Sequence, residues 1–388
     1  MKKNSRVCAK VNLDTVKNNI LNIYKSLETS TKIILVLKAD GYGHGAIPIA
    51  KHVEKEECIW GFAVASMDEA LMLRNSGLEK PLLTLGCLFP ENYQDVVEHD
   101  IQVMIYQLET ATALSEMARK LNKEVTIHIK LDTGMGRIGF PIEGESVSMI
   151  EEIHSLPNLN VVGLTTHFAM ADDADKTFTQ KQITDFLWMK NALKEKGIEF
   201  KYLHCSNSAG MLDIREAHMD LVRLGISTHG IYPSDDVNHD TVTLTPTLSL
   251  ISHVSHVKWV EANSPISYGC TFVTKRRSQI VTIPVGYADG YPRSLSNKGI
   301  VLINGVRLPV IGRVCMDYLM VDATTLTDVK FGDQVVLIGE QGDERITVNE
   351  LSSLSERFNY EFICALGKRI PRDYLVNNQI VEQVDYFG

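Results

Sequence analysis

The sequence predicts an α/β chain: an N-terminal (β/α)8 barrel of the TIM type over residues 1–240, then a mostly-β domain over 241–388. Three observations carry this. Eight short apolar or β-branched runs alternate with helical patterns through the first 230 or so residues. Polar residues of a chemical kind stand at the ends of several of those runs. After about residue 240 the helical intervals stop and strand patterns follow one another.

The eight runs are KIILVLKA (32–39), WGFAVAS (60–66), PLLTLG (81–86), IQVMIY (101–106), EVTIHIKL (124–131), NVVGLTTH (160–167), KYLHCSN (201–207) and LVRLGIS (221–227). Each is nearly continuously apolar, as expected of parallel strands buried on both faces. Between them lie amphipathic helices. Over 14–27, Asp14 is placed to cap, and Val16, Ile20, Ile23, Tyr24 and Leu27 share a face. Over 180–197, Ile183, Phe186, Leu187 and Leu193 do the same, and Gly197 stops the helix. No nucleotide-binding glycine fingerprint opens any of these helices. A doubly wound sheet is the alternative, but it would spread Lys38, Lys130, His167, Asn207, Ser208 and Arg223 along an edge, whereas a barrel gathers strand ends on one face. In the second domain, strands are predicted within 243–260, 279–286, 299–312 and 333–339, with a hairpin turn at Asn304-Gly305 and one helix over 348–358. No Pro- or Ser-rich linker separates the two parts.

Composition excludes several classes. The formal charge is −9 over 388 residues, which argues against a nucleic-acid partner. No apolar run approaches the roughly 18 residues of a membrane helix. The N-terminus has no apolar signal core. The seven cysteines are widely spaced and form no CxxC, so reduced thiols in a cytoplasmic protein are expected, without a zinc site. His253 and His256 have the spacing of a strand pattern, and no metal site is expected there.

Four stretches carry chemistry in the barrel. In VLKADGYGHGA (36–46), a lysine closing a buried strand is either a snorkelling side chain or a desolvated amine ready to form an imine. The alternating glycines favour the second, because they let backbone approach a bound group. Tyr42 is in reach of an anion held nearby. KLDTGMGRIGF (130–140) sets Lys130 and Arg137 around a glycine-rich turn. HCSNSAG (204–210) offers Asn207 and Ser208 where a helix begins, a place that suits an anion. RLGIS (223–227) holds Arg223 inside an apolar run, where an arginine is rare unless paired. The second domain adds Tyr268 in ISYGCTF, and Met316 with Asp317 in GRVCMDYLMVD.

Taken in order, KADGYGHG, KLDTGMGRIGF, NSA, RLGI, SYG, IPVGYADGYPR and GRVCMD closely resemble the alanine racemases, over nearly the whole chain. The resemblance implies a pyridoxal 5'-phosphate enzyme that interconverts L- and D-alanine with two bases and supplies D-alanine for peptidoglycan. Lys38 would carry the cofactor and serve one face of Cα, and Tyr268 the other. Tyr42, Ser208, Gly225 and Ile226 would contact the phosphate, and Asn207 would also bind the cofactor. Arg223 would face the pyridine nitrogen. Arg137 would approach the phenolic oxygen and the substrate. Lys130 matches a lysine that is often carbamylated and positions that arginine. His167 would sit between Tyr268 and Arg223. Met316, through its backbone N–H, and Asp317 would bind substrate. Tyr268 and Met316 would come from the partner subunit of a homodimer.

The residue types suit that chemistry. Racemisation removes a proton from one face and returns it on the other, which needs two bases. An arginine can only donate, so it would leave the pyridine nitrogen unprotonated and the electron sink weak, which suppresses competing pyridoxal reactions. In GKRIPRDY, Lys368 stands where many relatives have a tyrosine at the substrate entrance. That keeps a serine racemase as an alternative. A decarboxylase is disfavoured by Arg223, and a non-enzymatic cofactor carrier by the second domain. No role is assigned to His44.

Overall fold

A computed structural model describes residues 6–387. Two compact units divide the chain. One holds residues 16–41 and 46–245; the other gathers the strand Val7–Asn12, residues 42–45 and the chain from 246 onward. The expected boundary was 240/241. The change of unit falls after residue 245, and the first strand joins the second unit.

The first unit is an eight-stranded, all-parallel sheet with helices between its strands. In order around the sheet the strands are Tyr202–His204, Leu159–Thr165, Val125–Lys130, Gln102–Ile105, Leu82–Thr84, Ile59–Val64, Lys32–Val36 and Leu221–Leu224. The sheet nearly closes on itself. The last gap is bridged where Asp220 N–H donates to Leu203 O at 3.2 Å and Arg223 N–H to Ser206 O at 3.0 Å. All eight predicted runs are therefore strands. Most are shorter than the apolar run, because the final residues of each run leave the ladder to enter a loop.

Helix Leu13–Ser26 starts one residue earlier than expected, and its cap is not Asp14. Asn12 Oδ1 accepts the Thr15 N–H at 3.0 Å, so Asp14 sits in the first turn beside the helix N-terminus. Helix Thr177–Glu195 buries Ile183, Phe186, Met189 and Leu193, and Gly197 follows at φ 80°. Leu187 is exposed instead, just off the apolar stripe.

The second unit is built on an 11-stranded sheet. The predicted hairpin is present: Ile300–Ile303 pairs antiparallel with Val306–Ile311 through Asn304 (φ 50°) and Gly305 (φ 77°). The stretch 243–260 is two strands, Leu248–His253 and His256–Val260, so His253 and His256 lie on different strands. The helix expected over 348–358 is present as Val348–Ser355, and a second short helix, Asn359–Cys364, follows it. Strand Val7–Asn12 pairs antiparallel with Leu248–His253 and parallel with Arg372–Val376.

Candidate active site

In the first unit the chemistry collects beyond the C-terminal ends of the barrel strands, the face where such barrels place their sites. Strands Lys32–Val36 and Leu221–Leu224 are neighbours, with Leu35 opposite Leu224. Lys38 and the Gly225–Ile226 pair thus follow the ends of neighbouring strands.

Lys38 does not close its strand, as the apolar run suggested. The strand stops at Val36, and the chain turns into a left-handed helical turn: Ala39 (φ 52°), Asp40 (φ 52°), Gly41 (φ 61°), Tyr42 (φ 53°) and Gly43 (φ 77°). Gly41 N–H donates back to Leu37 O at 2.8 Å. L-residues resist this region by about 1–2 kcal/mol each, so specific contacts must hold it. Glu69 Oε1 accepts Ala39 N–H at 2.6 Å, and Asp40 Oδ1 accepts Ala46 N–H at 2.8 Å. Within the second unit, Gly43 O accepts from the buried Arg372 guanidinium, and His44 Nδ1 lies 2.9 Å from Tyr42 O. That gives His44 a role: as the Nδ1–H tautomer it ties the turn to itself. A Cβ at Gly43 would stand 2.5 Å from Ile363 O, so this glycine is required both by φ and by contact. Burial pushes the Tyr42 phenol up and keeps it an O–H donor.

Arg223 is buried and meets six acceptors. Nη1 donates to Thr165 Oγ1 (3.0 Å), His204 Nδ1 (2.9 Å) and His204 O (2.9 Å); Nη2 donates to Thr166 O (2.7 Å), Cys205 O (2.8 Å) and His167 Nδ1 (3.2 Å). None is a carboxylate. Burial brings its pKa down to about 10, still cationic at neutral pH. Its Nε–H has no acceptor among the described residues.

A guanidinium only donates, so it fixes the tautomers around it. His167 and His204 both accept at Nδ1 and carry their proton at Nε2. His204 Nε2–H then donates to His128 Nδ1 at 3.0 Å, and His128 Nε2–H to Gln102 Oε1 at 2.9 Å. Burial first, then the Arg223 charge, holds all three imidazoles below their ordinary pKa, His128 at about 3. They are neutral relays of orientation. His128 and His204 were not singled out from the sequence. Their signal was available, as polar residues inside the apolar runs EVTIHIKL and KYLHCSN.

Lys130 ends its strand and is buried. Its Nζ donates to Leu131 O and Ile138 O at the two ends of the 132–139 loop. Burial, then the Arg223 charge, lowers its pKa to about 8. Asp132 Oδ1 accepts the Gly134 and Gly136 N–H groups, each at 3.0 Å, and shapes the same loop. Arg137 lies exposed on it, with no hydrogen bond or ion pair among the described residues. Lys130 and Arg137 are thus brought to one loop but do not bond each other.

Asn207 caps helix Ser208–Asp213 by accepting Gly210 N–H at 3.0 Å. Ser208 Oγ accepts Gly225 N–H at 3.1 Å, so hydroxyl and amide stand side by side where two strand ends meet.

In the second unit, Tyr268 is on a short turn made possible by positive φ at Ser267, Gly269 and Cys270, and it is 70% exposed. It lines a surface cavity with His256, Ser267, Cys315, Tyr318 and Met320. Met316 is also exposed, and its N–H has no acceptor among the described residues. Its carbonyl accepts Ala288 N–H at 3.0 Å. A Cβ on Gly286 would fall 2.3 Å from both Cys315 O and Met316 O, which explains the glycine in IPVGYADGYPR. Asp317 Oδ1 pairs with Arg369 Nη2 at 2.8 Å. The neighbouring Lys368 places its ammonium 5.1 Å from the centre of the Tyr386 ring.

Comparisons with known proteins agree over the whole length. The family models "Alanine racemase, N-terminal domain" and "Alanine racemase, C-terminal domain" match residues 11–233 and 247–374. An alanine racemase of Methanococcus maripaludis is 43% identical over 369 residues, 95% of this chain and 98% of its own. The structure of alanine racemase from Clostridium difficile 630 superposes with a TM-score of 0.96 at 39% identity, covering 100% of both chains. An alanine racemase from Bartonella henselae, described with covalently bound pyridoxal phosphate, gives a TM-score of 0.85 at 27% identity over 96% of this chain and 100% of its own. These relatives support alanine and lend nothing to the serine alternative.

Proposed function

The chain belongs to the alanine racemase family and racemises alanine, and we propose that it does so on pyridoxal 5'-phosphate, with Lys38 and Tyr268 as bases on opposite faces of Cα. The observation that carries the reading is the caged Arg223. Its Nη groups are held by protein acceptors while Nε–H is unspent, and a donor that keeps its charge at neutral pH suits the bare nitrogen of a pyridine. The donor set fits the rest of the cofactor too: the paired Ser208 hydroxyl and Gly225 amide, with Ile226, Asn207 and Tyr42, for a phosphate, and Arg137 for a phenolate oxygen. When bound, pyridoxal phosphate supplies the electron sink that acidifies the α-proton.

The residues' own work follows. Lys38 would hold the cofactor, and its amine would take or return the proton on one face. Tyr268 does so on the other, as phenolate and phenol in turn. The Arg223 charge, relayed through neutral His167, favours the phenolate. Met316 N–H and Arg137 take the substrate carboxylate, and Asp317 fixes the Met316 loop through Arg369. Lys130's lowered pKa leaves part of it as the neutral amine that carbon dioxide adds to, and the resulting carbamate would exchange a like charge beside Arg137 for an opposite one. The working unit is a homodimer with Tyr268 and Met316 given in trans. Seven free cysteines support a cytoplasmic enzyme, and no described helix is long and apolar enough to cross a membrane.

Lys38→Ala tests the reading. It is expected to abolish racemisation and the visible absorbance of lysine-bound cofactor together. Retained cofactor on a lysine, found by borohydride reduction and peptide mapping, would overturn it.

A further inference from the structure

We infer that Glu69 is a positioning residue for Lys38, acting through the backbone of Ala39; this rests on the cofactor assignment to Lys38 made above. Glu69 lies in the first turn of helix Met67–Asn75, and its two carboxylate oxygens do different things. Oε2 accepts Ala65 N–H at 2.8 Å and Ser66 N–H at 3.3 Å, one half of a capping box whose other half is Ser66 Oγ accepting Glu69 N–H. Oε1 reaches away from its own helix to the Ala39 N–H at 2.6 Å. That amide is the one directly after Lys38.

The two segments it joins follow neighbouring barrel strands, Lys32–Val36 and Ile59–Val64, paired so that Val36 lies opposite Ala63. Helix capping needs only Oε2. Oε1 instead grips a residue at φ 52°, in a region where alanine has no intrinsic reason to stay. A charged acceptor on that N–H is a strong bond as well as a directional one. Without it, Ala39 is free to leave the left-handed region, the peptide between Lys38 and Ala39 rotates, and the lysine side chain starts from a different direction. Glu69 therefore sets where the amine points while touching neither cofactor nor substrate.

The sequence already carried a signal: SMDE at 66–69 is a capping-box pattern, and it falls just after a barrel strand.

The holoenzyme of Glu69→Asp is the deciding variant. Aspartate still caps the helix from its first turn, but it is one methylene too short to reach Ala39. Its thermal midpoint is expected to stay within about 2 °C of the parent. Loss of cofactor to excess hydroxylamine, followed by visible absorbance, should be faster by about tenfold, with kcat down by a similar factor. KM for alanine should hold within roughly twofold, because substrate contacts are untouched. Ser66→Ala, which removes the other half of the capping box, should lower the thermal midpoint and leave cofactor release and kcat as they were. Parental release and kcat in Glu69→Asp would overturn the inference, as would Ser66→Ala reproducing its defects, since Glu69 would then be a helix cap and nothing more. Borohydride mapping of the parent separates the two levels. Cofactor fixed on a lysine other than Lys38 defeats the assignment beneath the inference; cofactor on Lys38 with unaffected Glu69→Asp defeats the inference alone.

Discussion

Lys130 and Arg223 place two cations in one buried strand-end cluster, and burial acts on both in the same sense. The sign for Lys130 can be worked out. Its folded pKa is about 8 against an ordinary 10.5. Between those values the unfolded chain binds more protons than the folded one, so stability rises with pH across the window. Below about pH 8 both states hold the proton and the burial penalty is full. Lys130→Met should remove this rise. Denaturant midpoints in carbon-dioxide-free buffer, from about pH 7.5 to 10.5, are expected to converge for parent and variant as the pH climbs, with the variant relatively more stable at the low end. Parallel curves would show that Lys130 is not a desolvated amine in solution. Of the residues involved, Arg223 was legible because an arginine inside an apolar run demands acceptors. His128 and His204 stand out as polar residues in apolar runs, but their pairing does not, since a lone histidine in a strand does not reveal its neighbour 76 positions away.

At the scale of elements, the eight barrel strands were legible because each run is apolar on both faces. Their ends were not. The left-handed turn after Val36 depends on Ala39, whose type gives no hint of positive φ, and on Asp40, whose type gives only a weak one; the glycines at 41 and 43 carry most of the signal. The cap of the first helix is ambiguous in the sequence for a similar reason: Asn12 and Asp14 are both good caps, and hydrogen bonding alone decides between them. In the second unit, the turn bearing Met316 rests on the Tyr287–Asp289 segment with no room at Gly286. Gly286→Ala must push backbone against backbone at Cys315 and Met316. It is expected to destabilise by about 1–3 kcal/mol and, by shifting the Met316 N–H, to raise KM for alanine more than it lowers kcat. Chemical denaturation and steady-state kinetics check both parts. A normal KM would remove Met316 N–H from the substrate contacts.

At the scale of the whole molecule, the two-part organisation shows in the change of sequence rhythm, but the membership of Val7–Asn12 does not. Its partners in the sheet lie more than two hundred positions on, and six residues of strand carry no address. Chain order likewise conceals which copy of the chain completes a site. The second unit exposes Tyr268 (70%), Met316 (53%) and Tyr318 (49%), a cluster of large side chains that a monomer would leave in water. If Tyr268 serves the partner's Lys38, mixing variants gives a sharp outcome. Neither Lys38→Ala nor Tyr268→Ala has a complete site alone. In a heterodimer of the two, one site receives both defects and the other receives neither. Random reassortment makes half the dimers mixed, so about a quarter of the parental sites should work. Were Lys38 and Tyr268 to act within one chain, each subunit of the heterodimer would carry one defect and no activity would return. Dissociation in mild denaturant, mixing, dilution and an assay by chiral chromatography distinguish a quarter from none, and with it a shared site from a private one.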